Sequence, residues 1–528
     1  MSGIKGVDRA GDYNKMHTTR FMTAAAMLLL GAGFAQAGKI STDLGNKDGE
    51  LDAIIQFNVP PGERHVNKLL EKGAKIRRQL KSVQGYFVTI RGDALADVAA
   101  DPDVKYITPN RRLERKLEFA NGAIAATTAR QYGYEGAGVA VAIVDSGVHA
   151  AHPDLASSTG SSRVVYAESF ISGDANPNDS YGHGTHVAGI VAGNAAMSTQ
   201  SGSKRTFRGI APQANLVNLR VLDANGVGSD AAVIAAIDRA IDLKSLYNIR
   251  VLNLSLGRKV YESFQLDPLC AAVERAWRAG IVVVAAAGNS GRDNSMKTDG
   301  YATIVSPGNS PYAITVGAMK DMRSVSRADD VIASYSSKGP TRFDHVVKPD
   351  VVAPGNMIIS TMAPGSTVTE RFNETVVSAT YYYDVPLPSQ ANQYLRLSGT
   401  SMAAPMVAGA AALMLEKEPG LSPDTVKARL MKTATKTIAL NSSWTDTRTS
   451  TTYRSQADIF TVGAGYVDVW SALNVTDVVP VGTYALSPEA VRDAITGVVS
   501  VNASSVIWGS SVIWGSSVIW GSSVIWGS

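Results

Sequence analysis

Four stretches of the chain are almost continuously apolar over the length of a β-strand: "GVAVAIVDSGV", which carries Asp145, "ANLVNLRVL", "RVLNLSLG" and "GIVVVAAAGNSG", which carries Asn289. Such runs mark strands buried on both faces of a parallel sheet. Between them, "DAAVIAAIDRAIDL" and "PLCAAVERAWRAG" repeat their apolar residues at helical spacing. The alternation predicts an α/β fold with a doubly wound, mostly parallel sheet. Sheets of that kind bind ligands at the carboxyl ends of their strands, so Asp145 and Asn289 are predicted to face one cleft.

Upstream the pattern changes. "LDAIIQFNV" reads as a strand, "VNKLLEKGAK" as a helix, "RRQLKSV" and "GYFVTIRG" as strands, "DALADVAAD" as a short helix opened by Asp93, and "VKYITPN" as a strand. That order, β-α-β-β-α-β over residues 50–117, predicts a small α+β, ferredoxin-like domain. Ahead of it, "MHTTRFMTAAAMLLLGAGFAQAGKI" places Arg20 before an uncharged stretch and then Ala35, Gln36 and Ala37, so residues 1–37 read as a signal peptide with an N-terminal extension. Its apolar stretch is shorter than the roughly 18 residues that span a bilayer, which favours secretion over a permanent transmembrane anchor. Residues 476–504 read as a linker, and residues 505–528 are four copies of S-V-I-W-G-S. The even period keeps Val and Trp on one strand face in an uncharged, β-prone run, so the tail is either a self-pairing element for assembly, surface association or export, or a low-complexity extension.

Composition narrows the function classes. With 528 residues, 45% hydrophobic and 18% charged, the chain is long enough for more than one domain and a large core. The net charge of +4 is spread along the chain, and its densest basic clusters are interrupted by apolar or acidic residues, which argues against nucleic acid as a partner. A single cysteine, Cys270, excludes an internal disulfide. "GYEGAGVAV" lacks a third glycine and precedes its strand, so it is no dinucleotide-binding turn.

The chemistry concentrates in short motifs. "SGTSMAAP" sets Ser401 at the start of a helix of small residues, and "YGHGTHVAGIVAG" sets His183 at the start of another. A serine hydroxyl needs a base within reach, and the base needs a group that fixes its tautomer. Each residue also has a plainer reading. Asp145 is then a solvated carboxylate, Asn289 a turn cap, Ser401 a helix cap, and His183 with His186 a metal pair, although no H-E-x-x-H partner accompanies it.

Together "AIVDSGV", "HGTHVAG", "AAGNSG" and "GTSMAAP" resemble the motifs of the subtilisin-like (subtilase) serine peptidases, over roughly residues 125–475. The resemblance implies that Asp145 orients the imidazole, His183 is the general base, Ser401 is the nucleophile and Asn289 is an oxyanion donor. It implies an extended peptide substrate held between Ser255, Leu256 and Gly257 on one side and Gly226 to Gly228 on the other, with side-chain preference set beside residues 285–288 and by the stretch 292–307. No cofactor is implied for catalysis. Calcium-binding members use an aspartate matching Asp154, but the partner loop here, "NAAMSTQSGSKRTFRG", is basic and departs from their pattern. The α+β domain is similar to the family's inhibitory propeptides, with cleavage expected between about residues 110 and 128. Residues 363–396, with Tyr381, Tyr382 and Tyr383, form an insertion, either a rim hairpin or a packed surface excursion. The implied function is a secreted serine endopeptidase made as an autoprocessed precursor, with proteins or peptides and its own propeptide as partners. The alternative is a catalytically silent binding or adhesion protein that uses the tail.

Overall fold

A computed structural model describes residues 39–41, 44, 49–109, 119–384, 391–446 and 449–502. The expected signal peptide, the S-V-I-W-G-S repeats and residues 110–118 of the expected cleavage window lie outside them. The chain divides into two compact units, Met1–Glu114 and Arg115–Ser528.

The first unit is the expected α+β arrangement. Strands β1 (Glu50–Phe57), β2 (Lys75–Leu80), β3 (Gly85–Arg91) and β4 (Val104–Pro109) form an antiparallel sheet in the order β2-β3-β1-β4, with helices at Glu63–Glu71 and Leu95–Ala99. Ile55, Val88, Ile90 and Ile107 are fully buried and form its core together with Leu44. Ile40 bridges to Ile107, so the unit starts ahead of residue 50. Asp93 does not open the second helix. A 3-10 turn, Gly92–Ala94, precedes it, and the Asp93 carboxylate is taken by Arg91 at 2.7 Å.

The second unit holds the doubly wound sheet. Strands β5 (Ala140–Asp145), β6 (Val164–Ser169), β7 (Asn215–Arg220), β8 (Ile249–Leu254), β9 (Val282–Ala286), β10 (Ile314–Lys320), β11 (Val331–Ile332) and β12 (Val351–Pro354) are ordered β11-β10-β9-β8-β5-β7-β6, with β12 also paired to β10. All pairings are parallel except β10 with β11. Every residue of β5 and β9 is buried, which is what their unbroken apolar sequences require. From β5 the chain builds outward to β7 and β6 on one side and to β8, β9 and β10 on the other. The reversal leaves a crevice at the carboxyl end of β5, where Asp145 stands.

The insertion is a packed excursion. Strands β13 (Ile358–Thr361), β14 (Val376–Val377) and β15 (Tyr394–Leu397) make a small antiparallel sheet, and Tyr382, Tyr383 and Tyr394 are buried against Phe207.

The expected linker is part of this unit over residues 476–502. Strands β18 (Glu489–Arg492) and β19 (Val499–Asn502) pair as a hairpin. The Val347 amide donates to the Pro488 carbonyl, and the Ala490 amide donates to the His345 carbonyl. Beneath this segment lies a fully buried ionic cluster. The Asp350 carboxylate meets Lys348 at 2.7 Å and Lys427 at 3.3 Å, and it accepts the Thr315 amide at 2.7 Å and the Ser487 hydroxyl at 2.5 Å. Lys427 also donates to the carbonyls of Pro311 and Ala313. Two lysines can be buried there because carboxylate and carbonyl oxygens surround both. The polar composition that suggested a linker conceals small anchors, Ala485, Ser487 and Ala490, all buried.

Candidate active site

The His183–Ala192 helix begins with the imidazole, and its start is fixed from two directions. The Gly184 amide donates to the Ser146 hydroxyl at 2.9 Å, and the Thr185 amide donates to the Asp179 carboxylate at 2.8 Å. Asp179 also accepts the Gly182 amide at 2.6 Å and the Ser146 hydroxyl at 2.8 Å, so one buried carboxylate ties the end of β5 to the helix. The amides left unpaired at a helix start are thereby satisfied. A Cβ at Gly184 would lie 2.2 Å from the Gly147 carbonyl oxygen and 3.1 Å from the Asp145 Cβ, so only glycine permits this approach.

That approach puts His183 Nδ1 at 2.8 and 3.0 Å from the two carboxylate oxygens of Asp145. Asp145 is fully buried and the His183 side chain is 18% exposed, so the ring is anchored on one side and open on the other. Burial works against the imidazolium, but the charge and hydrogen bond of Asp145 and the charge of Asp179 outweigh it and raise the His183 pKa above its ordinary value.

Ser401 lies in the first turn of the Thr400–Lys417 helix, which packs on the His183 helix. Its carbonyl accepts the Ser255 hydroxyl at 2.8 Å, and Ser255 in turn accepts from Asn253 Nδ2 at 2.9 Å. Asn289 follows β9. Its Oδ1 accepts the Thr400 amide at 2.9 Å, while the Thr400 hydroxyl accepts the Gly288 amide at 3.0 Å. With Oδ1 committed, Nδ2 is the free end of the amide, and it lies 3.3 Å from where a Cβ on Gly399 would stand. The residues after β8 and β7 flank the Asp145 end of the sheet. Leu256 is half-buried, Gly257 is exposed, and Gly226 and Gly228 belong to a loop in which Asp223 Oδ1 accepts the Asn225 and Val227 amides at 2.8 and 3.0 Å. Ser255 differs from its neighbours because its hydroxyl braces the Ser401 turn.

His186 is buried and bonded to backbone oxygens. Its Nε2 lies 3.1 and 3.2 Å from the Ile358 and Leu395 carbonyls, and burial lowers its pKa to about 3, so a neutral ring donates to those oxygens. The residues around Asp154 do not suit calcium either. Its carboxylate accepts the Met197 amide and the Tyr394 hydroxyl, both at 2.8 Å, and Arg163 lies against its backbone carbonyl at 2.9 Å. Donors and a guanidinium occupy the positions where a cation would need oxygen ligands. Among the described residues no cluster of three or more His, Cys, Asp or Glu could hold a metal ion.

Sequence reasoning missed Asp179 and Ser146. The signal for Asp179 was present, an aspartate shortly before a helix start in "NDSYGHGTH".

A model of the subtilase family matches residues 136–465 of this chain. Serine protease AprX of Bacillus subtilis (strain 168) is 37% identical over 377 residues, which cover 69% of this chain and 77% of the relative. Subtilisin E of the same organism is 34% identical over 369 residues, 69% of this chain and 79% of the relative. A crystal structure of a cold adapted subtilisin-like serine proteinase is similar at 28% identity with a TM-score of 0.40, covering 62% of this chain and 92% of that one.

Proposed function

The chain belongs to the subtilase family of serine proteases, and on that premise we propose that it is a secreted endopeptidase that cleaves protein substrates through Asp145, His183, Ser401 and Asn289. Ser401 Oγ attacks the scissile carbonyl carbon while His183 Nε2 takes its proton. The resulting imidazolium is held through Nδ1–H by Asp145. Negative charge on the carbonyl oxygen is received by Asn289 Nδ2 and by the Ser401 amide at the helix start. His183 then protonates the leaving amine, and water, activated by the same imidazole, hydrolyses the acyl-enzyme. The observation that carries this reading is the Asp145–His183 pair, with one ring nitrogen bonded to a fully buried carboxylate and the ring partly open. A fluorophosphonate probe is expected to label the wild-type protein on Ser401 and to leave the Ser401→Ala variant unlabelled. Failure to label the folded wild type would instead support a silent binding protein.

Secretion follows in this reading from the apolar stretch ending at Ala37, and the unit with strands β1–β4 is a removable inhibitor and folding template. Parallel pairing of distant strands folds slowly, which gives a template its physical reason. The processed bond falls within residues 110–118, because the helices at Phe119–Ala123 and Ala126–Gln131 bury Ala123, Ile124, Ala126 and Ala129 in the core of the second unit. Amino-terminal sequencing of the mature enzyme tests this, and a mature chain starting beyond Phe119 would overturn it. Truncation at Ala503 decides the role of the four S-V-I-W-G-S copies: a change in solubility or cell association makes them an assembly, surface-association or export element, and unchanged behaviour leaves them a low-complexity extension.

A further inference from the structure

Beyond Asn289, away from residues 255–257, a second pocket opens at the β10 end of the sheet. Lys320, Arg323, Arg292, Tyr335 and Trp444 contribute to its wall, with Asp321 as the acid among them. Trp444 belongs to the hairpin β16 (Asn441–Asp446) and β17 (Thr451–Gln456). The Arg292 guanidinium carbon lies 3.8 Å from the Trp444 ring centroid, 5.4 Å from that of Tyr453 and 5.9 Å from that of Tyr335. Its Nε and Nη2 both donate to the Ser334 hydroxyl, at 2.9 and 2.7 Å. Among the described residues a hydroxyl and three ring faces hold this cation, and no carboxylate lies within ion-pair reach of it. Asp321 is buried with its Oδ1 accepting the Arg323 amide at 3.2 Å.

The pocket adjoins the nucleophile. The Tyr335 hydroxyl donates to the Gly355 carbonyl at 2.9 Å, and the Gly399 amide, two residues before Ser401, donates to the same oxygen at 2.8 Å. The Met357 amide, also at the pocket, donates to the Ser398 hydroxyl at 2.8 Å. If the acyl portion of a substrate lies between residues 226–228 after β7 and 255–257 after β8, as the protease reading has it, a chain passing Asn289 after β9 continues toward β10, the next strand in the sheet.

We infer that this pocket is a leaving-group-side subsite for a carboxylate, with Arg292, stacked on Trp444, as its specificity-determining residue. The inference rests on the protease reading and deepens it. A planar guanidinium fixed by rings and one hydroxyl loses little freedom when it pairs with a carboxylate, and it keeps donors for the pair.

The test uses amide-capped peptides carrying Glu, Gln or Lys at each of the three positions after the scissile bond, together with a Gln peptide that ends in a free carboxylate. At one of those positions wild type is expected to cleave the Glu peptide roughly tenfold faster in kcat/KM than the Gln peptide. Arg292→Gln should abolish the preference and Arg292→Glu should reverse it toward Lys, each read as a ratio of kcat/KM values between two peptides cleaved by the same protein. Acceleration of the free-acid peptide alone, lost in Arg292→Gln, identifies the carboxylate as a chain terminus. Equal rates for Glu, Gln and free-acid peptides in wild type overturn the inference, and so does a Glu preference that survives Arg292→Glu. Fluorophosphonate labelling of the wild type and its loss in Ser401→Ala report the protease reading separately, because the probe reacts at Ser401 and carries no leaving-group peptide.

Discussion

Two buried aspartates of the second unit, Asp145 and Asp350, each meet a basic group at the sheet, and they differ in what is left over. Asp350 is saturated by two lysines, an amide and a hydroxyl, and every member of the cluster is hidden from water. Burial opposes its charge, yet Lys348 and Lys427 hold its pKa below the ordinary carboxylate value. Asp145 is equally buried, but its partner is a titratable ring that keeps a second nitrogen and part of its surface available. A closed set of charges makes a rigid joint, whereas a set left open at one position can move a proton.

The comparison breaks first at its open end. Ser401→Ala is expected to lower turnover on a peptide by about 10⁶-fold, the scale known for the nucleophile in this family, while the thermal midpoint stays within a few degrees. The closed set should respond in the opposite sense. Asp350→Ala strands two buried ammonium groups and is expected to cost about 3–5 kcal/mol in urea unfolding, with turnover per folded molecule preserved. Loss of turnover at unchanged stability would refute its structural role. A third change sharpens the open site. On the proposed mechanism Asn289→Ala removes one oxyanion donor, a loss worth about 10²–10³-fold in turnover in relatives of this fold, and is expected to leave KM little changed. A raised KM at constant turnover would move Asn289 into substrate binding.

The smallest effect is a shift along the pH axis. On the proposed mechanism His183 works as a base only when neutral, and its pKa is raised, so kcat/KM is expected to fall with acidification from a midpoint above the ordinary histidine value of 6.5. Asp145→Asn withdraws the charge that raises it, so the residual activity of that variant should lose its acid limb at lower pH. The raised pKa also acts on stability. The stabilisation that Asp145 gives the imidazolium is fully present below the unfolded pKa and is lost as pH rises through the folded value.

The core strands could be read in advance because each is apolar at consecutive positions, and burial on both faces allows little else there. The motif residues could be read because Asp145, His183, Asn289 and Ser401 each stand within two positions of a glycine in short stretches that resemble the subtilase motifs. Asp179 was harder, since an aspartate in a polar loop gains its role only when helix and strand meet. The stretch beginning at Arg292 could be named, but its stacking on Trp444 was out of reach because nothing local to either predicts that they meet. Residues 476–502 misled for a related reason. Their anchoring residues are small and follow no helical or strand period, so the burial of Ser487 beside Asp350 emerges only from tertiary packing.

Synthesis order gives that last contact a temporal meaning. Lys348, Asp350 and Lys427 leave the ribosome well before Ser487 and the segment that covers them. In a nascent chain the Asp350 carboxylate can pair with both lysines before Ser487 exists, so residues 476–502 close over an ion cluster that is already assembled from earlier sequence.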